Sequence, residues 1–290
     1  MNEHAQAERR ESESHSGRPI ALTIAGFDPS SGAGITADLK VFAAHNIYGM
    51  ACITALTIQS TLGVRRVEPV SAETIRETLA CLRDDVTPAG VKIGMLATAE
   101  AVSETARFLA TAGIDRRRVV LDPVIRSSSG RELLSAEGVT RLREELLGHV
   151  GWITPNLEEL AILTESIPLS REDVPAAAVR LQELAGKVGN PKLQVVATGG
   201  HLDRPDDFLL TPDGSAHWLP GERVETESTH GTGCAFSSAL LCGLIHWRQP
   251  ERAAAEAKAY VSAALKASYP VGRGKGPMNH LFGGSSLKTR

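Results

Sequence analysis

Short apolar runs alternate along this chain with segments whose apolar residues recur every three or four positions. "PIALTIAG" (19–26) is a mostly apolar run ending in glycine, the pattern of a buried strand. The turn-rich "FDPSSGAG" follows it and leads into the predicted helix "ITADLKVFAAHN" (35–46). "YGMACITALTIQS" (48–60) predicts a second strand, and "LGVRRVEPV" (62–70) a short edge strand or arm. "SAETIRETLACLRDDV" (71–86) opens on Ser71 as N-cap and carries a helical apolar stripe.

The alternation then repeats: strand "GVKIGML" (90–96), helix "TAEAVSETARFLATAG" (98–113), strand "RRVVLDPVI" (117–125), helix "SAEGVTRLREELLGHV" (135–150). Strand "GWITPN" (151–156), helices "LEELAILTE" (157–165) and "REDVPAAAVRLQELAGKVG" (171–189), and strand "KLQVVATGG" (192–200) come next. A hairpin, "DFLLTPDGSAHWLPG" (207–221), precedes a helix starting near Cys234, and "PERAAAEAKAYVSAALKAS" (250–268) is the last helix before the glycine-rich "VGRGKGP" (271–277). Strands and helices taken in turn predict an α/β fold, a mostly parallel sheet with helices on both faces. Ligands of such sheets bind at the carboxyl ends of the strands.

Length and composition narrow this picture. The 290 residues suit one large α/β domain or two small ones, and no repeat or linker divides them, so a single domain is predicted over 19–283. Polar tails are expected at 1–18 and 284–290; the first, "MNEHAQAERRESESHSGR", lacks the apolar centre of a signal peptide. With 42% hydrophobic residues the chain can bury a sizeable core. The formal charge is 31 − 34 = −3 with no long basic run, which argues against a nucleic-acid groove. No segment approaches the roughly 20 apolar residues of a membrane span. The four cysteines, Cys52, Cys81, Cys234 and Cys242, include no C-x-x-C pair, so zinc ligation is not expected. Cys234 and Cys242 on one helix would stand about 12 Å apart along its axis, beyond the reach of a disulfide. A reduced, cytoplasmic protein is expected.

Four segments carry candidate chemistry. "GFDPSSGAG" has neither the G-x-G-x-x-G spacing of a dinucleotide fold nor a Walker A loop. Its glycines Gly26, Gly32 and Gly34 let backbone approach a ligand, although a flexible loop would use them equally. "STHGTGCAFSSALL" (228–241) is more informative. Gly231 and Gly233 free successive amides to point at one spot, where the following helix adds its unpaired N–H groups and dipole. An anion such as a phosphate in transfer is stabilised there. Cys234 sits in the first turn, where a thiol pKa can fall from about 8.5 to roughly 3.5–7.5, making it a base toward a bound alcohol. The competing reading is a small hydrophobe at a helix start. "TPNLEEL" (154–160) sets Asn156 and Glu159 one helical turn apart, as oxygen ligands to a magnesium shell or as a helix capping box. Asp122 in "LDPVI" ends a strand where ligands are usually met, and Met95 in "KIGML" does likewise, although an isolated strand-end Met is more often core than substrate wall.

Together these segments resemble the hydroxymethylpyrimidine/phosphomethylpyrimidine kinases of thiamine biosynthesis, within the ribokinase-like superfamily. The resemblance runs from about residue 20 to 282 and rests on "ALTIAGFDPSSGAGITADLK", "YGMACITALTIQST", "VKIGML", "ITPNLEEL", "STHGTGCAFSSAL" and "VGRGKGP", in that order. It implies ATP and Mg2+ as cofactors, and phosphorylation of 4-amino-5-hydroxymethyl-2-methylpyrimidine and then of its monophosphate. It also implies roles: Cys234 as catalytic thiol, and Gly231, Thr232 and Gly233 as anion hole. Gln59, Asp38, Ala33, Met95 and Val124 would line the pyrimidine pocket. Thr198, Gly200 and Lys275 would meet ATP, and Asn156, Glu159 and Asp122 the metal.

Two positions depart from the family pattern. Ser31 and Thr36 replace a glycine and a glutamine of the first loop. Thr198 stands where a lysine is usual, and Lys275 or Arg273 is expected to supply the missing charge. A pyridoxal kinase of the same superfamily is the rival implied by the thiol, and a ligand-binding regulator with weakened catalysis the rival of another class. The family usually dimerises, so a homodimer is expected, with "TLGVRRVEPV" as a candidate interface.

Overall fold

The computed structural model describes residues 17–283 apart from 128, 168, 201 and 247. The expected tail 284–290 falls outside the described residues, as does all but the last two residues of 1–18.

One sheet orders the chain as β3-β2-β1-β4-β5-β6-β7-β8-β9. The strands are β1 (Ile20–Phe27), β2 (Tyr48–Ser60), β3 (Gly63–Pro69), β4 (Gly90–Ile93), β5 (Val119–Leu121), β6 (Trp152–Ile153), β7 (Gln194–Ala197), β8 (Asp207–Leu210) and β9 (Ala216–Leu219). Neighbours from β2 through β7 pair in parallel, as crossovers through helices require. β3, β8 and β9 are joined to their neighbours by short connections and run antiparallel. β1 is flanked by β2 on one side and β4 on the other, so the winding direction reverses there and leaves a crevice at the carboxyl edge. β2 is paired with β1 only as far as Leu56, and its last residues continue with β3 as a two-stranded ribbon beyond the sheet.

Alternation along each strand sends side chains to two separate cores. Leu22, Ile24, Val91, Ile93, Val119 and Leu121 pack on one face. That face is covered by α2 (Ala72–Asp85), α3 (Ala99–Thr111), α4 (Ala136–Arg141), α5 (Leu157–Thr164) and α6 (Val174–Lys187). Ala21, Val120 and Trp152 turn to the other face, under α1 (Gly34–Ala44), α7 (Thr232–Ile245) and α8 (Pro250–Lys266). α7 is buried at every residue from Ala235 to Ile245, which explains why its sequence is apolar without a polar stripe. Ser71 caps α2 through the Thr74 amide, as its position predicts.

The segment expected as one helix over 135–150 divides. After α4 the backbone widens into a π turn at Leu142–Leu146 and tightens into a 3-10 turn at Leu147–His149. Leu142, Leu146, Leu147 and Val150 are all buried along this irregular stretch.

Candidate active site

Gly231 forms the N-cap of α7 with φ +84°, in the left-handed region where a Cβ is costly. A Cβ there would also overlap the Gly32 carbonyl oxygen, so the "GTGC" bend lies directly on the first loop. The amides of Thr232, Gly233 and Cys234 have no hydrogen-bond partner among the described residues, as the first turn of a helix leaves them. Gly233 is exposed, and a Cβ on it would meet only the Asp122 carboxyl oxygens, 3.9 Å away. Unpaired amides at an open glycine, on the positive end of a buried helix, suit an anion.

Below this opening lies a charged cluster centred on Lys92, which the sequence reading did not single out. Lys92 points from the middle of β4 to the α1/α7 face, because Val91 and Ile93 take the other one. Its Nζ donates to Asp38 at 3.0 Å and stands 4.0 Å from Asp122. Asp38 also accepts from Thr23 Oγ1 at 2.6 Å and Ser238 Oγ at 2.8 Å, and neither it nor Lys92 has exposed surface. The expectation that Asp38 lines the substrate pocket is therefore corrected: its carboxylate is the sealed counter-ion of Lys92. Burial opposes the Lys92 charge, but Asp38, Cys234 and Asp122 outweigh it and raise the ammonium pKa. A lysine inside the apolar run "GVKIGML" was the available signal.

Cys234 lies among these groups. It retains some exposed surface, yet its thiol is enclosed, and burial pushes that thiol up to about 12. Lys92 pulls the other way, while Asp122 and Asp38 push it further up. The sequence-based expectation of a lowered thiol pKa is thus reversed in the ligand-free chain. Desolvation and two carboxylates outweigh one lysine and a backbone hydrogen bond from Gly34. Asp122 is raised above the usual carboxylate range by burial and by Asp38, against Lys92 and hydrogen bonds from Ser237 and Cys234.

At the neighbouring strand ends, Asn156 Oδ1 caps α5 by accepting from the Glu159 amide at 2.9 Å, and the Glu159 carboxyl accepts in turn from the Asn156 amide at 2.9 Å. The capping box foreseen from the sequence is present. Burial and the nearby Asp122 push Glu159 up to about 8. Thr198 bridges to Asn156 at the end of β7, and Gly200 is exposed two residues on. No group of three or more histidine, cysteine or acidic side chains gathers as a metal cage among the described residues. Two crowded carboxyls do fit a magnesium ion that is otherwise held by phosphates and water.

The other end of the crevice holds Gln59, on the β2–β3 ribbon. Its Nε2 lies 3.1 Å from His230 Nε2, and His230 Nε2 lies 2.8 Å from Asp28 Oδ2. Asp28 further accepts from Ser30, Gly32 and Ala33, which places Ala33 in the loop wall through its amide. Burial opposes ionisation of Asp28, but the His230, Ser30 and Ala33 bonds hold it at about 2. Asp28 and His230 lie inside the two motifs the sequence singled out, but nothing in their spacing marks them as partners. Met95 and Val124 meet in a small apolar cluster with Ala55 and Leu133. Ser31, at the family's glycine position, holds φ +66° and is bound at its carbonyl by Lys40 Nζ at 2.6 Å.

Lys275 is exposed, and its flanking residues Gly274 and Gly276 dock on Thr61 and on the His230 amide. That is the β2 end of the sheet, five strands from Thr198 after β7. The structure does not bring Lys275 to the positions it was expected to assist.

Comparison with known proteins gives the family and the fold. The sequence model described as phosphomethylpyrimidine kinase matches residues 28–279. The chain is 39% identical over 259 residues to a hydroxymethylpyrimidine/phosphomethylpyrimidine kinase of Aquifex aeolicus, covering 88% of this chain and 97% of that protein. Among solved structures, the ADP complex of Bacillus subtilis pyridoxal kinase superposes with a TM-score of 0.80 at 34% identity, covering 91% of this chain and 98% of that one. A phosphomethylpyrimidine kinase from Clostridium difficile superposes with a TM-score of 0.74 at 33% identity, covering 86% and 100%.

Proposed function

The chain belongs to the phosphomethylpyrimidine kinase family, and from that premise we propose that it transfers phosphate from ATP to 4-amino-5-hydroxymethyl-2-methylpyrimidine and then to the resulting monophosphate. One observation carries the reading. The open amides at the start of α7 and the Gln59 amide belong to one wall, because His230, 3.1 Å from the Gln59 amide, directly precedes the Gly231 N-cap. An alcohol held at Gln59 therefore faces a site built for a phosphoryl group.

In the first transfer the hydroxymethyl oxygen bonds to the γ-phosphorus, and the bond from that phosphorus to the bridging oxygen of ADP breaks. The amides of Thr232, Gly233 and Cys234 meet the charge on the transferring group. The alcohol proton goes to the Cys234 sulfur. A neutral thiol must first give up its own proton, which leaves to solvent at the mouth beside the exposed Gly233. Lys92 stabilises the sulfur as it passes through its anionic form. Asn156, Glu159 and Asp122 would hold magnesium, which when bound supplies positive charge to the nucleotide phosphates. Thr198 and Gly200 lie at the strand edge where those phosphates would rest.

The second reading is a pyridoxal kinase, supported by the likeness to the Bacillus subtilis enzyme. Turnover with hydroxymethylpyrimidine, its monophosphate and pyridoxal, each followed separately, decides between them. Faster transfer to pyridoxal overturns the pyrimidine assignment.

We further assign a homodimer, in which a second copy covers the exposed Ile53, Leu56, Ile58 and Leu62 of β2 and its turn. These side chains form an apolar stripe on one strand, continuous with the "TLGVRRVEPV" arm. A cytoplasmic site suits the four free cysteines. No helix among the described residues is long and apolar enough to cross a membrane.

A further inference from the structure

Gln59, His230 and Asp28 pose a proton-placement problem with one solution. Asp28 is ionised and accepts from Ser30 N and Oγ, Gly32 N and Ala33 N. His230 Nε2, 2.8 Å from Asp28 Oδ2, must therefore carry a proton and donate it. That nitrogen then has no lone pair for the Gln59 Nε2 standing 3.1 Å away. A second conflict sits at the other end of the amide. The single Thr57 hydroxyl proton faces both the Phe27 carbonyl at 2.9 Å and Gln59 Oε1 at 3.2 Å. Turning the Gln59 amide by 180° about its last bond leaves the heavy-atom positions unchanged, relieves the donor–donor clash at His230 and frees the Thr57 proton. Oε1 then shares the single His230 Nε2–H with Asp28 in a three-centre bond, and Nε2 donates to Thr57, whose own proton goes to Phe27.

From this we infer that His230, locked by Asp28 in the Nε2–H tautomer, is a positioning residue that fixes the polarity of Gln59: acceptor on the His230 side, donor on the Thr57 side. The inference rests on the pyrimidine-kinase reading and deepens it. An aminopyrimidine edge presents an amine beside a ring nitrogen, and a Gln59 of fixed polarity accepts that edge in one orientation only. The orientation sets the 5-hydroxymethyl group relative to Cys234, four residues after His230. Gly32 belongs to the same device, since a Cβ there would strike the His230 ring.

The two ring nitrogens distinguish the test variants. A glutamine at 230 places its N–H near where Nε2 stands, whereas an asparagine reaches only as far as Nδ1. His230→Asn is expected to raise KM for hydroxymethylpyrimidine about tenfold and to lower its preference over pyridoxal by a similar factor, with KM for ATP within twofold. His230→Gln should restore both. Equal preference in wild type and His230→Asn would overturn the inference while leaving the kinase assignment intact. A wild-type enzyme inactive on hydroxymethylpyrimidine would instead overturn the assignment itself. A measurement on the unaltered protein covers the case of misfolded variants. In nitrogen-15 NMR of labelled histidine, the His230 ring should show protonated Nε2 and bare Nδ1 at pH 8, and the opposite tautomer sinks the inference.

Discussion

Lys92 donates to Asp38 at 3.0 Å with neither side chain exposed, so a fully buried ion pair underlies the N-terminal half of α7. Breaking one member leaves the other charged in a medium that cannot solvate it. Lys92→Met should therefore cost about 3–5 kcal/mol in denaturant unfolding. The double variant Lys92→Met/Asp38→Asn should recover part of that loss. Additive losses would show that the two side chains do not depend on each other.

The two glycines of the α7 bend are predicted to fail differently. Gly231→Ala forces a Cβ into the Gly32 carbonyl at φ +84°, so both melting temperature and turnover should fall. Gly233→Ala meets no atom closer than Asp122 at 3.9 Å and removes a flexible residue from a helix, so stability should hold or rise slightly. Its methyl group does occupy the mouth of the anion site, and turnover should drop at least tenfold. Wild-type turnover in folded Gly233→Ala would place the transferring phosphate elsewhere.

Cys234→Ala should lower turnover by about 10²–10⁴-fold while the protein stays folded and binds nucleotide. In the ligand-free protein the Cys234 thiol, pushed up to about 12, should resist alkylation at pH 8, whereas the exposed Cys81 should react first. Faster labelling of Cys234 would mean that it already stands as a thiolate.

Glu159 gives the stability a pH dependence of known sign. Its folded pKa is about 8 against an ordinary 4.5, so folding binds its proton more tightly. The contribution is fully present below pH 4.5 and is lost as pH rises through 8. Without magnesium or nucleotide, wild type should lose on the order of a few kcal/mol from this group across that window. Glu159→Gln preserves the capping geometry and should flatten the profile, as thermal melts at pH 5 and pH 8 can show. Magnesium–ATP should release protons on binding to wild type near pH 7, and calorimetry in two buffers should find less release in the variant.

Leu56→Asp puts a charge into the apolar stripe of β2. If a second copy covers that stripe, light scattering should show half the wild-type mass, with the fold retained. An unchanged mass would assign the stripe to another role.

The sequence by itself determined the alternation of strands and helices, since periods of two and 3.6 are local properties of the chain. It also located the helix caps at Ser71 and Asn156 and the glycine bend before Cys234, where the chemistry lies within a few adjacent residues. Only the tertiary structure decided the strand order, and with it that Lys92 of β4 faces Asp38 of α1, and that Asp28 meets His230 across 202 positions. It likewise decided the protonation of Cys234. A helix start favours a thiolate wherever it is exposed, but here burial and two carboxylates surround the sulfur, and all three come from elsewhere in the chain. Electrostatic energies depend on distance in space, so the ionisation of this site followed from which strands became neighbours.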